Sequence, residues 1–223
     1  MIHKADMRDG EFAKIALTFD DGPDPRHTPR ILDILKCYDI KGSFFLVGRN
    51  VRRYPELVRR IHEEGHDIGN HTFTHPVSPS LTISSDRLRK EIRCTNAAIK
   101  KIIGSEPALF RSTLAFWDPA VGLLLHEARR TGHTVVGWSR SSADWLGSSR
   151  LIRYALENRS IRDGDILLWH DGAEKAVIRG RRATELVLPG FIERCLDENI
   201  LIEPLTAVLE NVTFPCFALA EFS

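Results

Sequence analysis

No stretch of the 223 residues comes near the ~18 consecutive apolar residues that a membrane-crossing helix needs. The first twelve residues, Met1 to Phe12, are polar and hold no apolar run of the kind a secretory signal carries. The expected location is therefore the cytoplasm, unless a leader precedes this sequence in the native protein. Cysteine is scarce. Cys37, Cys94, Cys195 and Cys216 are scattered, with no C-x-x-C pair, and read as reduced and structural, with disulfides the lesser option. Charge of one sign is also missing: 31 basic residues face 30 acidic ones, a net +1. That balance gives no electrostatic reason to expect nucleic acid or an anionic membrane as partner. The short basic clusters, Arg52–Arg53, Arg59–Arg60 and Arg179–Arg182, read as solvated faces. Repeats, linkers and low-complexity segments are absent. With 43% hydrophobic and 27% charged residues, one globular domain over residues 1–223 is expected.

What is present is a regular alternation. Strands are predicted at Lys14–Asp20, Gly42–Val47, Asp67–His71, Ala108–Arg111, Thr134–Trp138, Asp165–Trp169 and Ile200–Ile202. Helical patterns separate them at His27–Tyr38, Asn50–Glu64, Ser84–Ile103, Asp118–Thr131, Ser149–Arg159 and Arg181–Asn199, with Asn50 as N-cap of the second and Gly65 as its stop. Seven β–α steps with continuous apolar strands imply a parallel sheet covered by helices. That is either a closed barrel or an open doubly wound sheet. Titratable groups collect at the carboxyl ends of the strands: Asp20 and Asp21, His71, Arg111 and His170. Parallel α/β folds assemble their sites at that edge.

Two segments carry chemistry. In Thr18-Phe19-Asp20-Asp21-Gly22-Pro23 the adjacent carboxylates repel, so keeping both ionised needs a cation or a basic partner. A surface Asp-Asp-Gly turn is the plainer reading of that segment alone. In His71-Thr72-Phe73-Thr74-His75-Pro76 two imidazoles four residues apart can share a metal on one side of a helical turn or folded loop. Joined to Asp21, they form a three-ligand set that leaves positions open to water and suits Zn first, Co or Ni next. Three patterns are set aside. His62-Glu63-Glu64-Gly65-His66 matches a zinc-protease motif, but Gly65 interrupts the helix it needs. Gly137–Ser141 lacks the closing glycine of a nucleophile elbow. Asn70-His71-Thr72 is a glycosylation sequon only in letters.

Together the TFDDGP segment and the H-x-x-x-H-P segment resemble the NodB-type polysaccharide deacetylases, carbohydrate esterase family 4, and the likeness runs from about Ile15 to Leu205. The resemblance implies an α/β fold, a distorted (β/α) barrel with about seven parallel strands. It implies that Asp20 is the general base and that Asp21, His71 and His75 hold one divalent metal. Leu168-Trp169-His170 makes His170 the general acid, and Phe110-Arg111 places a guanidinium that orients the base. Two motifs depart from the family. The arginine motif continues as Ser112-Thr113-Leu114-Ala115, with Leu114 where the family offers a backbone N–H to the oxyanion. Ser141 stands where the family has an Asp that tunes the catalytic histidine, which leaves His170 without that carboxylate unless Asp144 substitutes from a neighbouring position. Among the tryptophans, Trp117 and Trp145 are expected to line the groove, and Trp138 and Trp169 to pack in the core or rim. The implied activity is removal of N-acetyl groups from N-acetylglucosamine units of a chito-oligosaccharide or cell-envelope glycan. A catalytically silent carbohydrate-binding relative and a deacylase of another amide or ester are the alternatives. The expected partner is an N-acetylated carbohydrate; oligomeric state is left open.

Overall fold

The structure is a computed structural model and describes residues 12–76, 84–114, 118–158, 160–172 and 182–210. Strand β1, Lys14–Asp20, is buried along almost its whole length, as expected of a strand covered on both faces. It is followed by α1, Thr28–Cys37, and β2, Ser43–Leu46. The predicted helix Asn50–Glu64 is two helices, α2 (Gly48–Arg53) and α3 (Pro55–Glu63). Pro55 is the cause: the residue before a proline is pushed out of the α region, and Tyr54 sits at φ −130°. Asn50 therefore lies inside α2 rather than capping it, and its amide donates to the Asp21 carbonyl at 3.1 Å.

The chain continues through β3 (Asp67–Asn70), α4 (Ser85–Ile103), β4 (Leu109–Phe110), α5 (Val121–Arg130) and β5 (Thr134–Val135). Ser84 caps α4 by accepting the Arg87 N–H, and left-handed Gly104 ends it. Past β5 the predicted strand Thr134–Trp138 is not maintained. The chain leaves its neighbour and forms a separate short strand, β6 (Arg140–Ser141), then a 3-10 turn at Asp144–Leu146. Helix α6 (Ser149–Glu157), β7 (Ile166–His170), α7 (Arg182–Asp197), β8 (Leu201–Ile202) and α8 (Leu205–Glu210) complete the order.

The strands run β5-β4-β3-β2-β1-β7-β6, with β8 also joined to β1, and each pair is parallel. Among the described residues β5 and β6 each pair on one side only, so the curled sheet is a barrel opened between them. Alternation along the strands sends successive side chains to opposite faces of the sheet. Leu17, Phe19 and Phe44 face the helix layer with Leu32, Ile61 and Phe191. Ala16, Phe45, Leu109, Val136 and Ile166 face inward and meet Leu205 and Val208 of α8. The α8 end is the amino-terminal edge of the strands: Leu205 N–H donates to Ser43 Oγ at 2.8 Å, and Thr206 bonds Asp67. With that edge closed, the carboxyl-terminal edge is left for a site. Among the described residues no helix is long and apolar enough to cross a membrane.

Candidate active site

Register brings the key groups together. Asp20 ends β1, His170 ends β7, and the two are paired residues of neighbouring strands. His71 directly follows β3 and Arg111 directly follows β4, on the same edge. Two left-handed residues, Thr72 (φ 62°) and His75 (φ 54°), fold the segment after β3 into a tight loop, so the two histidines meet through a loop and not along a helix. Their rings lie 5.1 Å apart. Asn70 anchors this loop: its carbonyl oxygen accepts the Thr72 N–H, and its amide donates to Ile92 O and Asn96 Oδ1 on α4. Glu91 of α4 accepts the N–H groups of Phe73 and Thr74. Sequence reading missed Asn70 and Glu91, because their role depends on where α4 packs.

Ligand atoms of Asp21, His71 and His75 all lie within 4.8 Å of one another. Asp21 Oδ1 is 2.9 Å from His75 Nε2 and 3.6 Å from His71 Nε2. Donors about 2.0–2.2 Å from a tetrahedral ion would stand roughly 3.4 Å apart, so the spacing fits one small divalent cation. The other nitrogen of His71 donates to the Arg111 carbonyl at 2.9 Å, which fixes the tautomer that turns Nε2 toward Asp21. Burial alone would raise the Asp21 pKa. Hydrogen bonds from His71 and His75 and the charges of His170 and His75 outweigh it, and the carboxyl is held well below the usual range. His71 shows the mirror image: burial opposes its charge, but the Asp20 charge and the Asp21 hydrogen bond raise it. A carboxylate and two imidazoles, nearly dry and converging on one point, form a donor set for a zinc-type ion.

Asp20 is held from the other side. Arg111 donates to Asp20 Oδ1 at 2.8 Å, to Thr18 Oγ1 at 2.7 Å and to the Gly137 carbonyl at 2.8 Å. Its guanidinium is 1% exposed and lies 4.1 Å from the Phe45 ring centre. Burial lowers the arginine's pKa, against the Asp20 charge and hydrogen bond that raise it. Deleting one partner of such a pair costs roughly 3–5 kcal/mol, since the other is left buried and uncompensated.

His170 does have a carboxylate partner: Asp144 substitutes from the neighbouring position, the alternative that Ser141 left open. Asp144 Oδ1 accepts from His170 Nδ1 at 2.7 Å, and Asp144 Oδ2 accepts the His170 backbone N–H at 2.9 Å. Thr184 Oγ1 of α7 donates to the same Oδ2 at 2.8 Å. The cause is local. Ala143 is left-handed (φ 57°) and leads into the 3-10 turn, so residue 144 is the one aimed at the end of β7. Ser141 Oγ accepts the Ala143 N–H at 3.2 Å and so supports that turn. Thr184, 40 residues from Asp144, carried no signal in the sequence.

The remaining expectations divide. The Leu114 side chain packs in the core with Leu88, Ile92 and Phe110. Its N–H donates to Ser112 Oγ at 3.0 Å, so in this conformation neither part is offered to the groove. Trp145 is 37% exposed and stands edge-on to His170, ring centres 6.2 Å apart. Trp138 is a rim residue, 39% exposed and 5.9 Å from the Arg111 guanidinium. Trp169 is fully buried against Phe191. Trp117 lies outside the described residues. In the protease-like segment, α3 ends at Glu63 and Gly65 is left-handed (φ 81°). His66 then accepts the Gly42 N–H, and burial holds its pKa down to about 4, a structural role. Beside the Asp21 loop, between Pro23 and Tyr54, opens a cleft of about 630 Å³.

Known proteins resemble this chain over most of its length. The polysaccharide deacetylase family model matches residues 8–136. A peptidoglycan-N-acetylglucosamine deacetylase of Bacillus cereus is 37% identical over 162 residues, 71% of this chain and 72% of that protein. A chitooligosaccharide deacetylase of a Bradyrhizobium strain is 35% identical over 161 residues, 71% of this chain and 70% of that protein. Among solved structures, a peptidoglycan N-acetylglucosamine deacetylase in complex with a naphthalenyl N-oxidanyl-benzamide superposes with TM-score 0.79 at 29% identity, covering 93% of this chain and 91% of that one. By a family match over more than half its length, and by these relatives, the chain belongs to the NodB-type polysaccharide deacetylases, carbohydrate esterase family 4.

Proposed function

We propose that this chain is a metal-dependent hydrolase that removes N-acetyl groups from N-acetylglucosamine-containing glycans. One observation carries the reading: a three-donor centre, Asp21, His71 and His75, shares one sheet edge with a buried carboxylate, Asp20, and a carboxylate-backed imidazole, His170. The names of the relatives support peptidoglycan or chito-oligosaccharide as substrate. Zinc suits the donors best, with cobalt or nickel as alternatives. A bound divalent ion would polarise the acetyl carbonyl and acidify a water. Asp20, oriented by Arg111, takes the water's proton as general base. Asp144 accepts from Nδ1 of His170, so Nε2 is the nitrogen that delivers a proton to the leaving amine. Trp145 and Trp138, half-exposed at the rim, offer ring faces for sugar.

A silent carbohydrate-binding relative is the second reading, and the Leu114 N–H already bonded to Ser112 favours it. Acetate release separates the two. Chito-oligosaccharides and peptidoglycan fragments are incubated with the chelated protein, and then after zinc is restored. Deacetylation that vanishes with chelation and returns with zinc is the expected result. Absence of acetate from folded, zinc-loaded protein across the whole panel would reject the hydrolase.

A further inference from the structure

Asp171 follows His170, is fully buried, and has no place in the chemistry above. Its Oδ2 accepts from Thr28 Oγ1 at 2.6 Å, and Thr28 Oγ1 in turn accepts the Asp24 N–H at 2.8 Å. Its Oδ1 has no hydrogen-bond partner among the described residues. The carboxyl lies over the α-carbon of Gly22, where any Cβ would collide with it. The neighbouring backbone is stitched to β1: Asp171 and Gly172 both donate to the Asp20 carbonyl, at 3.0 and 3.3 Å. Gly172 is pressed against the Asp21 carbonyl with no room for a side chain. Between these contacts sits Asp21, a non-glycine residue at φ 75°. That conformation costs of order 1–3 kcal/mol and persists only where the surroundings impose it.

We propose, resting on the metal-centre reading above, that Asp171 is a positioning residue: wedged over Gly22 and tied through Thr28 to Asp24, it holds Asp21 in the left-handed conformation that turns its carboxylate toward His71 and His75. Asn50, donating to the Asp21 carbonyl from α2, braces the same residue. A carboxyl with one unpartnered oxygen is a costly way to fill space, so packing alone does not account for an acid here. Burial raises its pKa to about 7, and the charges of Asp21 and Asp20 add to that against the Thr28 hydrogen bond.

The test measures the zinc dissociation constant by competition with a chromophoric chelator, beside the thermal midpoint of the metal-free protein. Asp171→Ala should weaken zinc binding about 10–100-fold, the usual effect of losing a group that orients a ligand. Asp171→Asn keeps the bulk and an oxygen for Thr28, and should stay within about threefold of wild type. A merely structural role would lower the midpoint of Asp171→Ala and leave the zinc affinity of the folded protein unchanged; that result overturns the proposal. It is equally overturned if Asn weakens zinc binding as much as Ala. Should Asp171→Ala fail to fold, Gly22→Ala presses on the same wedge from the loop side, and unaltered zinc affinity there refutes it. A wild-type protein that takes up no zinc would instead defeat the metal-centre reading, and the inference with it.

Discussion

Asp144→Asn is the sharpest probe of the proton-delivery side. The carboxylate contacts His170 Nδ1 at 2.7 Å, the His170 N–H at 2.9 Å and Thr184 Oγ1 at 2.8 Å. An amide in the same place can still accept from the backbone and from Thr184. Its NH₂ then faces Nδ1, where it cannot support a ring protonated on both nitrogens. What is lost is one charge-assisted hydrogen bond, about 1.5–3 kcal/mol. If that bond is made fully in the transition state, kcat falls roughly ten- to hundredfold, at about 1.4 kcal/mol per decade. This lies within the ~10²–10⁴-fold that a proton-transfer group supplies. KM and zinc affinity should change little, because Asp144 is not one of the three metal donors. The assay is acetate release under zinc saturation, with metal content measured on the same sample. A kcat within twofold of wild type would refute the reasoning. Ser141→Asp offers a second check: with Asp144 already in place it should give no gain in rate. In the Asp144→Asn background it should restore part of the loss only if a carboxylate at 141 can also reach His170.

Other consequences follow from the same geometry. Asp20→Asn should abolish measurable turnover while leaving zinc bound, since Asp21, His71 and His75 keep their positions; near-native kcat would remove Asp20 from the role of base. His71→Ala or His75→Ala should lower zinc stoichiometry and activity together, and atomic absorption showing full zinc in either variant would contradict the ligand set. Asp171 gives the metal-free protein a pH dependence. Its folded pKa, raised to about 7, lies above the unfolded value, so its contribution is fully present below about pH 4 and is lost as pH rises through about 7. Asp171→Asn abolishes that tilt, of order a few kcal/mol, and should therefore compare more favourably with wild type in urea melts at pH 8 than at pH 5. An equal difference at both values would show that the carboxyl does not change protonation on folding.

Much of the fold was legible because it rests on period and continuity. The β1 bounds match the apolar run Lys14–Asp20, and α4 ends where Gly104 can turn left-handed. The reading failed where a local rule was passed over or where geometry bends. Pro55 breaks one helix into two by a steric rule visible in the letters. The separation of β5 from β6 is different in kind. Nothing in Thr134–Trp138 forbids a longer strand; the chain departs because the barrel is open there and Arg140–Ser141 pairs with β7 instead.

The site follows the same division. Asp21, His71 and His75 could be grouped as a ligand set from residue type and position at strand ends, whereas the roles of Asp20 and His170 came with the family resemblance. Arg111 was legible only through the motif it belongs to, and its meaning lies in contacts with Thr18 and Gly137 that no spacing encodes. Ser141 shows how a motif can mislead. A motif assigns a role to a position, but a hydrogen bond is made by whichever carboxylate the backbone delivers. One left-handed residue, Ala143, followed by a 3-10 turn, delivers Asp144, and Thr184 on α7 completes its hold. Loss of the motif carboxylate therefore does not entail loss of the pair. Whether the turn or the residue matters more can be measured: Ala143→Gly, which frees that backbone, should lower kcat less than Asp144→Asn does, because the carboxylate survives. If the two variants fall equally, the turn itself is what keeps His170 supplied with its partner.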